Sequence, residues 1–513
     1  MNWKVIGASF KQADMRKRIF GVLLIILIFR VLAHIPVPLA EPETLKQVLT
    51  NLFSSQNNTP QLLSFINVLS GGALANFSIM IAGLGPYINA SIIMQLLTKA
   101  LPKLEAMRKD GESGQKKINQ YTRILTLPLA VIQAIGSIYL VRQYAQSVGG
   151  IGDITANTSP AQWVLMVAAL TGGSMLLMWM GELVTEKSVG NGISLLITVG
   201  IVSALPGTIS QIASSLYDKT NKWEVFGHKL PINEKAFWYA LAIAGVVLLV
   251  TWIVVMLNEA ARRLTVNYAK RVQGNRAYGG VTTVLPVKLI TAGVVPIIFA
   301  IAFLSVPSFV GQLLTTNSSV KLQEIGQNLV TWFQSPNAQT LEAGGIHAYI
   351  YPLTYFLLIF LFTFFYTSIT FNSREIAENL QKQGGFIEGV RSGLQTERYL
   401  SRTVNKLTLF GAVCLGLLAI MPIIAQMFVP QNLALAIGGT SVLILVAVSL
   451  ETLRAVESRA LMITYDQYSR DDFFYDDSAD DEVQPVSRTS KALRALPKRL
   501  HSRTHDKTPK KTN

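Results

Sequence analysis

Long apolar runs separated by polar loops occupy most of this chain. Ten of them are read as long enough to cross a bilayer, which takes a helix of about 20 residues. They lie at about 19–36, 76–99, 124–142, 161–183, 192–215, 236–257, 289–313, 351–372, 407–428 and 434–454. Arg30, in the first, is the one strong charge read as lying inside a run. An ion-coupled pump needs buried ionisable groups that bind and release its ion. This pattern predicts a path without a charged relay. Glycine and proline recur within the runs, as in Gly83-Leu84-Gly85-Pro86, Pro128, Gly293 with Pro296, and Pro422. Small residues let helices approach closely, and neighbouring segments satisfy the backbone groups that proline frees.

The loops set orientation. Lysine and arginine crowd near Arg16 to Arg18, through 103–123, 262–276, 374–406 and the tail, while the loops near 37–60, 144–160, 314–348 and 429–433 are poor in them. The loop at 216–235, with Lys219, Lys222, Lys229 and Lys235, is an exception. The alternation predicts both termini in the cytoplasm. Five spans on each side of that exceptional loop place two halves in opposite orientation, as inverted repeats require. No residue-level repeat is evident, so the symmetry rests on the count. The expected organisation is a cytoplasmic start (1–18), a first half (19–215), an outer hinge loop (216–235), a second half (236–455) and a charged cytoplasmic tail (456–513). In that tail Asp471 to Glu482 are mainly acidic and Arg488 to Lys511 basic, which reads as disordered.

Composition agrees with burial in lipid: 50% of the 513 residues are hydrophobic and 15% charged, far more apolar than an ordinary soluble domain. The net charge of +15 is accounted for first by topology. Cys414 is the single cysteine, which excludes an intrachain disulfide. The first apolar run is of spanning length and is followed by further spans, so a cleavable signal peptide is not expected. The five histidines are scattered, and neither a ligand-spaced Cys/His cluster nor a phosphate loop occurs. The expectation is therefore no enzyme, no cofactor and no metal, with any nucleotide-driven force supplied by a partner.

Three features point to mechanism. Residues 62–75 are apolar but too short to span, and they precede the second run on the outer side. They read equally as a re-entrant segment or as an interfacial helix. In the second run Leu84, Ile88, Ser91, Gln95 and Thr98 share one face, apolar near mid-span and polar towards the cytoplasm. Ile193 and Ile197 form an i, i+4 pair elsewhere. Converging branched aliphatic side chains would block water and ions by dewetting while yielding to a passing chain. Finally, the loops 258–288 and 373–406 are too long for simple turns and are candidates for docking a large partner.

A family resemblance rests on Ser70-Gly71-Gly72-Ala73-Leu74, on Gly85-Pro86-Tyr87-Ile88-Asn89-Ala90-Ser91-Ile92-Ile93, and on Trp179-Met180-Gly181-Glu182 through Gly190-Asn191-Gly192-Ile193-Ser194. It extends to Val266-Asn267-Tyr268-Ala269-Lys270-Arg271, Ala292-Gly293-Val294-Val295-Pro296, Phe371-Asn372 and Gly438-Gly439-Thr440-Ser441. In order and spacing these resemble the SecY family from roughly residue 10 to 465.

The resemblance implies an all-α polytopic membrane protein of ten transmembrane helices, in two inverted pseudo-symmetric halves around a central pore. It implies a pore ring of Leu84, Ile88, Ile193, Ile197, Ile298 and Ile444, and a plug including Phe65, Asn67, Ser70, Gly71 and Gly72. A lateral gate would contain Ser91, Gln95, Thr98, Ile290 and Thr291, and partners would dock on Arg271, Arg276 and Arg391. The implied partners are SecE-like and SecG-like membrane subunits, the SecA motor ATPase, the translating ribosome, signal-sequence-bearing polypeptides and membrane lipid. The implied place is the bacterial plasma (inner) membrane.

Some residues depart from the family pattern. Leu84 stands where isoleucine is common, and Asn275 replaces a basic neighbour of Arg276. Ile290 takes the place of a polar asparagine, which deprives Gln95 of a partner unless Thr291 substitutes. A secondary transporter of a small solute is the alternative, for which charged or clustered polar groups at broken helices would be required.

Overall fold

A computed structural model of the chain describes residues 13–37, 73, 77–149, 158–187, 190–216, 223–225, 228–230, 234–268, 271–273, 276–278, 280, 282–315, 319–333, 346–425 and 439–469. The apolar runs within them are helical, because only an internally bonded backbone is tolerated in hydrocarbon. The first half contains α1 (Ala13–Leu32), α2 (Gly85–Ala100), α3 (Pro102–Lys109), α4 (Glu112–Gly149), α5 (Pro160–Glu186) and α6 (Gly192–Leu216). A short antiparallel hairpin, β1 (Trp223–Val225) with β2 (His228–Leu230), lies in the expected hinge loop. The second half contains α7 (Glu234–Glu259), α8 (Val295–Thr315), α9 (Val320–Phe333), α10 (Ile346–Thr370), α11 (Ser373–Lys382), α12 (Leu394–Ala425) and α13 (Gly439–Ser469). The chain divides into one unit up to Arg459 and a second from Ala460, of which the helix end up to Ser469 is described.

Six stretches among the described residues are long and apolar enough to cross a bilayer: Glu112–Tyr139, Pro160–Glu186, Glu234–Glu259, Val295–Thr315, Tyr349–Lys382 and Leu394–Met421. The expected span 76–99 is helical only from Gly85, because residues 77–84 form consecutive turns with Phe77 and Gly83 at positive φ. The 16 residues of α2 rise only about 24 Å, less than the hydrocarbon thickness of about 30 Å. Helix α1 begins with Arg16, Lys17 and Arg18, and α13 runs on through Arg454, Glu457 and Arg459. Charge rather than length separates these two from the six.

A residue-level repeat does exist, although the sequence reading found none. Gly83 (φ +59°) precedes Leu84, Gly85, Pro86 and then Ile88, while Gly293 (φ +62°) precedes Val294, Val295, Pro296 and then Ile298. Only glycine enters the left-handed region without a Cβ penalty, and proline is tolerated in the first helical turn. Ile88 N donates to Leu84 O at 3.0 Å, and Ile298 N to Val294 O at 3.3 Å. Each half thus launches a helix, α2 or α8, from the same turn. The two runs share glycine, proline and isoleucine at equal spacing and differ in between.

The two long loops expected to dock a partner are not separate. Strand β3 (Ala261–Tyr268) pairs antiparallel with β6 (Thr282–Lys288) from its own loop and with β7 (Gly385–Ile387) from the other. Leu264 and Val266 alternate inward and join Val287, Leu380, Ile387, Leu400 and Val404 in a second apolar core. The helical body therefore carries a small sheet that the loop assignment had not anticipated.

Candidate functional site

The largest apolar cluster joins both halves. Leu84, Ile88, Ile197, Ile298 and Ile444 are buried within it, and half-buried Ile193 packs against it. All six expected ring positions are therefore brought to one core, supplied by α2 and its entry turn, α6, α8 and α13. Ala73, the described residue of the expected plug segment, is fully buried in the same cluster, and its carbonyl accepts from Ser78 N at 2.9 Å. Phe65, Asn67, Ser70, Gly71 and Gly72 lie outside the described residues.

Neighbouring helices hold the ring positions in place. Ser174 Oγ donates to Gly83 O at 3.1 Å and Gln133 Nε2 to Ala82 O at 3.3 Å, fixing the turn before α2 from α5 and α4. At the start of α6 the side-chain oxygen of Asn191 accepts from Ile193 N at 3.1 Å, while Gly192 N donates to Thr185 Oγ1 at 3.0 Å. A Cβ on Gly192 would strike the Gly181 carbonyl, and one on Gly181 would press on Ile193 Cγ1. The spaced glycines of that motif are thus the close packing that positions Ile193.

The expected gate residues are divided. Ser91, Gln95 and Thr98 follow one another on α2. Gln95 Nε2 donates to Ser91 Oγ at 3.1 Å, and Thr98 Oγ1 donates to Met94 O at 2.7 Å. Gln95 Oε1 is buried without a hydrogen-bond partner among the described residues. Ile290 is buried just before the turn into α8. Thr291 does not replace the missing partner: its hydroxyl donates to Lys288 O at 3.2 Å, within its own turn. The seam between the halves, where α8 packs on α2 and α4, is close-packed, for Gly136 of α4 faces the Phe309 ring of α8 with no room for a Cβ.

Arg271 and Arg276 begin two strands, β4 (Arg271–Gln273) and β5 (Arg276–Tyr278), which pair as a hairpin. Arg391 is exposed between Gly389 and Gly393, both at positive φ, and its carbonyl accepts from Thr396 Oγ1 at 2.8 Å. The hairpin and this turn lie on the two loops that share one sheet. At the root of that sheet burial, and then the nearby Arg454 guanidinium, push the Lys288 ammonium below its ordinary pKa.

Sequence reasoning missed the ion pair that joins α4 to α5. Arg123 of α4 meets Glu182 of α5 with two of its guanidinium nitrogens, Nε to Oε1 at 2.9 Å and Nη2 to Oε2 at 2.6 Å. The Trp179-Met180-Gly181-Glu182 motif carried the signal: its acid lies within the expected span 161–183, although Arg30 was read as the one strong charge inside a run.

Comparison with known proteins settles the family. The SecY family model matches residues 78–453. A protein translocase subunit SecY of Streptomyces galbus is 37% identical over 466 residues, covering 90% of this chain and 98% of the relative. Its namesake in Corynebacterium glutamicum is 38% identical over 461 residues, covering 89% and 98%. Among solved structures, a protein-conducting channel superposes with a TM-score of 0.61 at 18% identity, covering 88% of this chain and 93% of that one. Sec61 in the canine ribosome–channel complex superposes with a TM-score of 0.56 at 16% identity, covering 88% and 93%. The chain belongs to the SecY family.

Proposed function

We propose that this chain is the channel subunit of a bacterial protein translocase. It conducts unfolded secretory polypeptides across the plasma membrane and releases apolar segments sideways into lipid. The observation that carries this reading is the convergence of six aliphatic side chains, from both halves, on one core. Such a constriction excludes water and ions yet deforms around a chain. Leu84, Ile88, Ile193, Ile197, Ile298 and Ile444 act as the seal, and residues 62–75 cover it when idle. Lateral exit follows from partition: each Leu, Ile, Phe or Val at a helix centre favours insertion by about 0.3–0.6 kcal/mol. A span of about 20 such residues therefore leaves the channel for lipid.

The polypeptide's driving force comes from outside, through the sheet built by the two cytoplasmic loops. Arg271, Arg276 and Arg391 present cations there to a translating ribosome or a SecA-like motor, with SecE-like and SecG-like subunits in the membrane. Both termini are cytoplasmic, as the basic loops favour. Family membership argues against the solute-transporter alternative, and Arg123 with Glu182 forms a closed pair rather than an exchangeable ion site. Depleting the protein is expected to make signal-bearing precursors accumulate in the cytoplasm, detected by their uncleaved signals. Normal secretion with a defect in solute uptake would sink this reading.

A further inference from the structure

Three arginines bind the carbonyl ends of helices that belong to other elements. Arg18 Nη1 donates to Lys187 O at 3.2 Å, just past α5. Arg454 Nη2 donates to Asn258 O at 3.2 Å, near the end of α7, and pairs with Glu259 Oε1 at 2.6 Å. Arg108 Nη2 donates to Ile369 O at 3.0 Å, near the end of α10. The last four carbonyls of a helix lack intrahelical donors, and a cation there also meets the negative end of the helix dipole. The chemistry is the same three times, but the connectivity is not. The first cap joins α1 to α5 within the first half, and the second joins α13 to α7 within the second half. Arg108 alone of the three crosses from the first half to the second.

Its position gives that crossing a consequence. Helix α3, which carries Arg108, is the eight-residue link between α2 and α4, the first-half helices on one side of the seam. Helix α10 stands on the other side. Three residues after Ile369, Asn372 caps α11, its side-chain oxygen accepting from Glu375 N at 3.4 Å. Parting the seam at the cytoplasmic end separates α3 from α10 and breaks this bond while sparing the other two.

We propose that Arg108 is a positioning residue that latches the seam and sets how apolar a signal segment must be to part it. The inference rests on the channel reading above. Because α10 leads directly into the second docking loop, a partner engaging that loop strains the same carbonyl. Docking and signal entry then act on one contact, and a weaker latch lowers the requirement on the signal.

The test uses the full chain with its co-purifying membrane partners, reconstituted in vesicles with motor and ATP. Two precursors differ only in the signal, one with an uninterrupted leucine run and one with an arginine inserted in it. Arg108→Ala is expected to raise export of the interrupted signal relative to the intact one about tenfold, as for loss of one charged hydrogen bond. Arg108→Lys should return most of the discrimination, and Arg18→Ala should leave it unchanged. An unchanged ratio in Arg108→Ala, or an equal rise in Arg18→Ala, overturns the proposal. If Arg108→Ala fails to accumulate in the membrane, Arg108→Gln is measured in its place. Failure of both makes Arg108 a folding residue and also overturns the proposal. A wild-type chain that exports neither precursor removes the channel reading itself, and the latch with it.

Discussion

Helices α2 and α8 begin from the same glycine-and-proline turn and seat an isoleucine, Ile88 or Ile298, in the same cluster. They diverge beyond that turn. Helix α8 is apolar over 295–304, before Ser305, Ser308 and Gln312, and that stretch is stapled to α10 of its own half by aromatic contacts. Phe299 meets Phe362 at 6.0 Å and Tyr366 at 6.2 Å, both edge-on, and Phe303 meets Phe362 at 6.1 Å. Such pairs add about 0.5–1.5 kcal/mol each beyond burial. Helix α2 is shorter and carries Ser91, Gln95 and Thr98 on its seam face. A common start with different continuations makes one helix a fixed wall and the other the element whose contacts exchange most cheaply. The proposed seal is shared between the halves, and its compliance is assigned to the first.

The strongest way to break this comparison is to empty both seats. Ile88→Ala and Ile298→Ala each remove buried methyl and methylene groups, which costs about 2–5 kcal/mol in a tightly packed core. The pair is expected to raise ion conductance of the reconstituted channel well above either single variant, because the two positions face one constriction. Planar-bilayer recordings check this. Equal, closed baselines in all three variants would show that the two seats are packing positions and not a seal.

The seam offers a smaller perturbation. Gly136→Val places two methyl groups where the Phe309 ring now lies, and overpacking of this kind costs about 1–3 kcal/mol. The closed arrangement bears that cost and the parted one does not. Export of precursors with weakened signals should therefore rise by about tenfold for each 1.4 kcal/mol, while Gly172→Val, at a glycine with open space around it, leaves export unchanged. A thermal-stability loss with no change in export would place the damage in folding instead.

How much of this was legible follows from which forces write themselves into one dimension. Apolar run length announced the six stretches long and apolar enough to span among the described residues, and loop charge set the expected orientation, because lipid imposes both without reference to neighbours. The seats at Ile193 and Ile197 could be named from spacing, but the glycines that position Ile193 act across helices, so their partners appear only in three dimensions. The sheet was missed for a related reason. Leu264, Val266 and Tyr268 alternate as a strand should, yet β7 is only three residues long and pairs across a long stretch of sequence. Arg123 and Glu182 were each plain as charges, and nothing in the linear pattern joined them. The twofold turn shares only glycine, proline and isoleucine at equal spacing, and what joins them is the positive φ of Gly83 and Gly293.

The finest test removes a polar group from α2. Gln95 Oε1 is buried without a partner among the described residues while its nitrogen is used within the helix. An unsatisfied buried acceptor costs about 1–3 kcal/mol, and replacing it by an apolar group of similar size removes that cost. Gln95→Leu is therefore expected to stabilise the closed seam by about 1 kcal/mol, the low end of that range, seen as a small rise in melting temperature. It should also demand a more apolar signal, so export of a weakened precursor falls while a strong one passes unchanged. Gln95→Glu supplies the opposite control, since a carboxylate in the same place raises the burial cost. If Leu and Glu shift signal selection in the same direction, the polar stripe of α2 does not govern opening, and the asymmetry between the two helices must be sought in the aromatic contacts of α8.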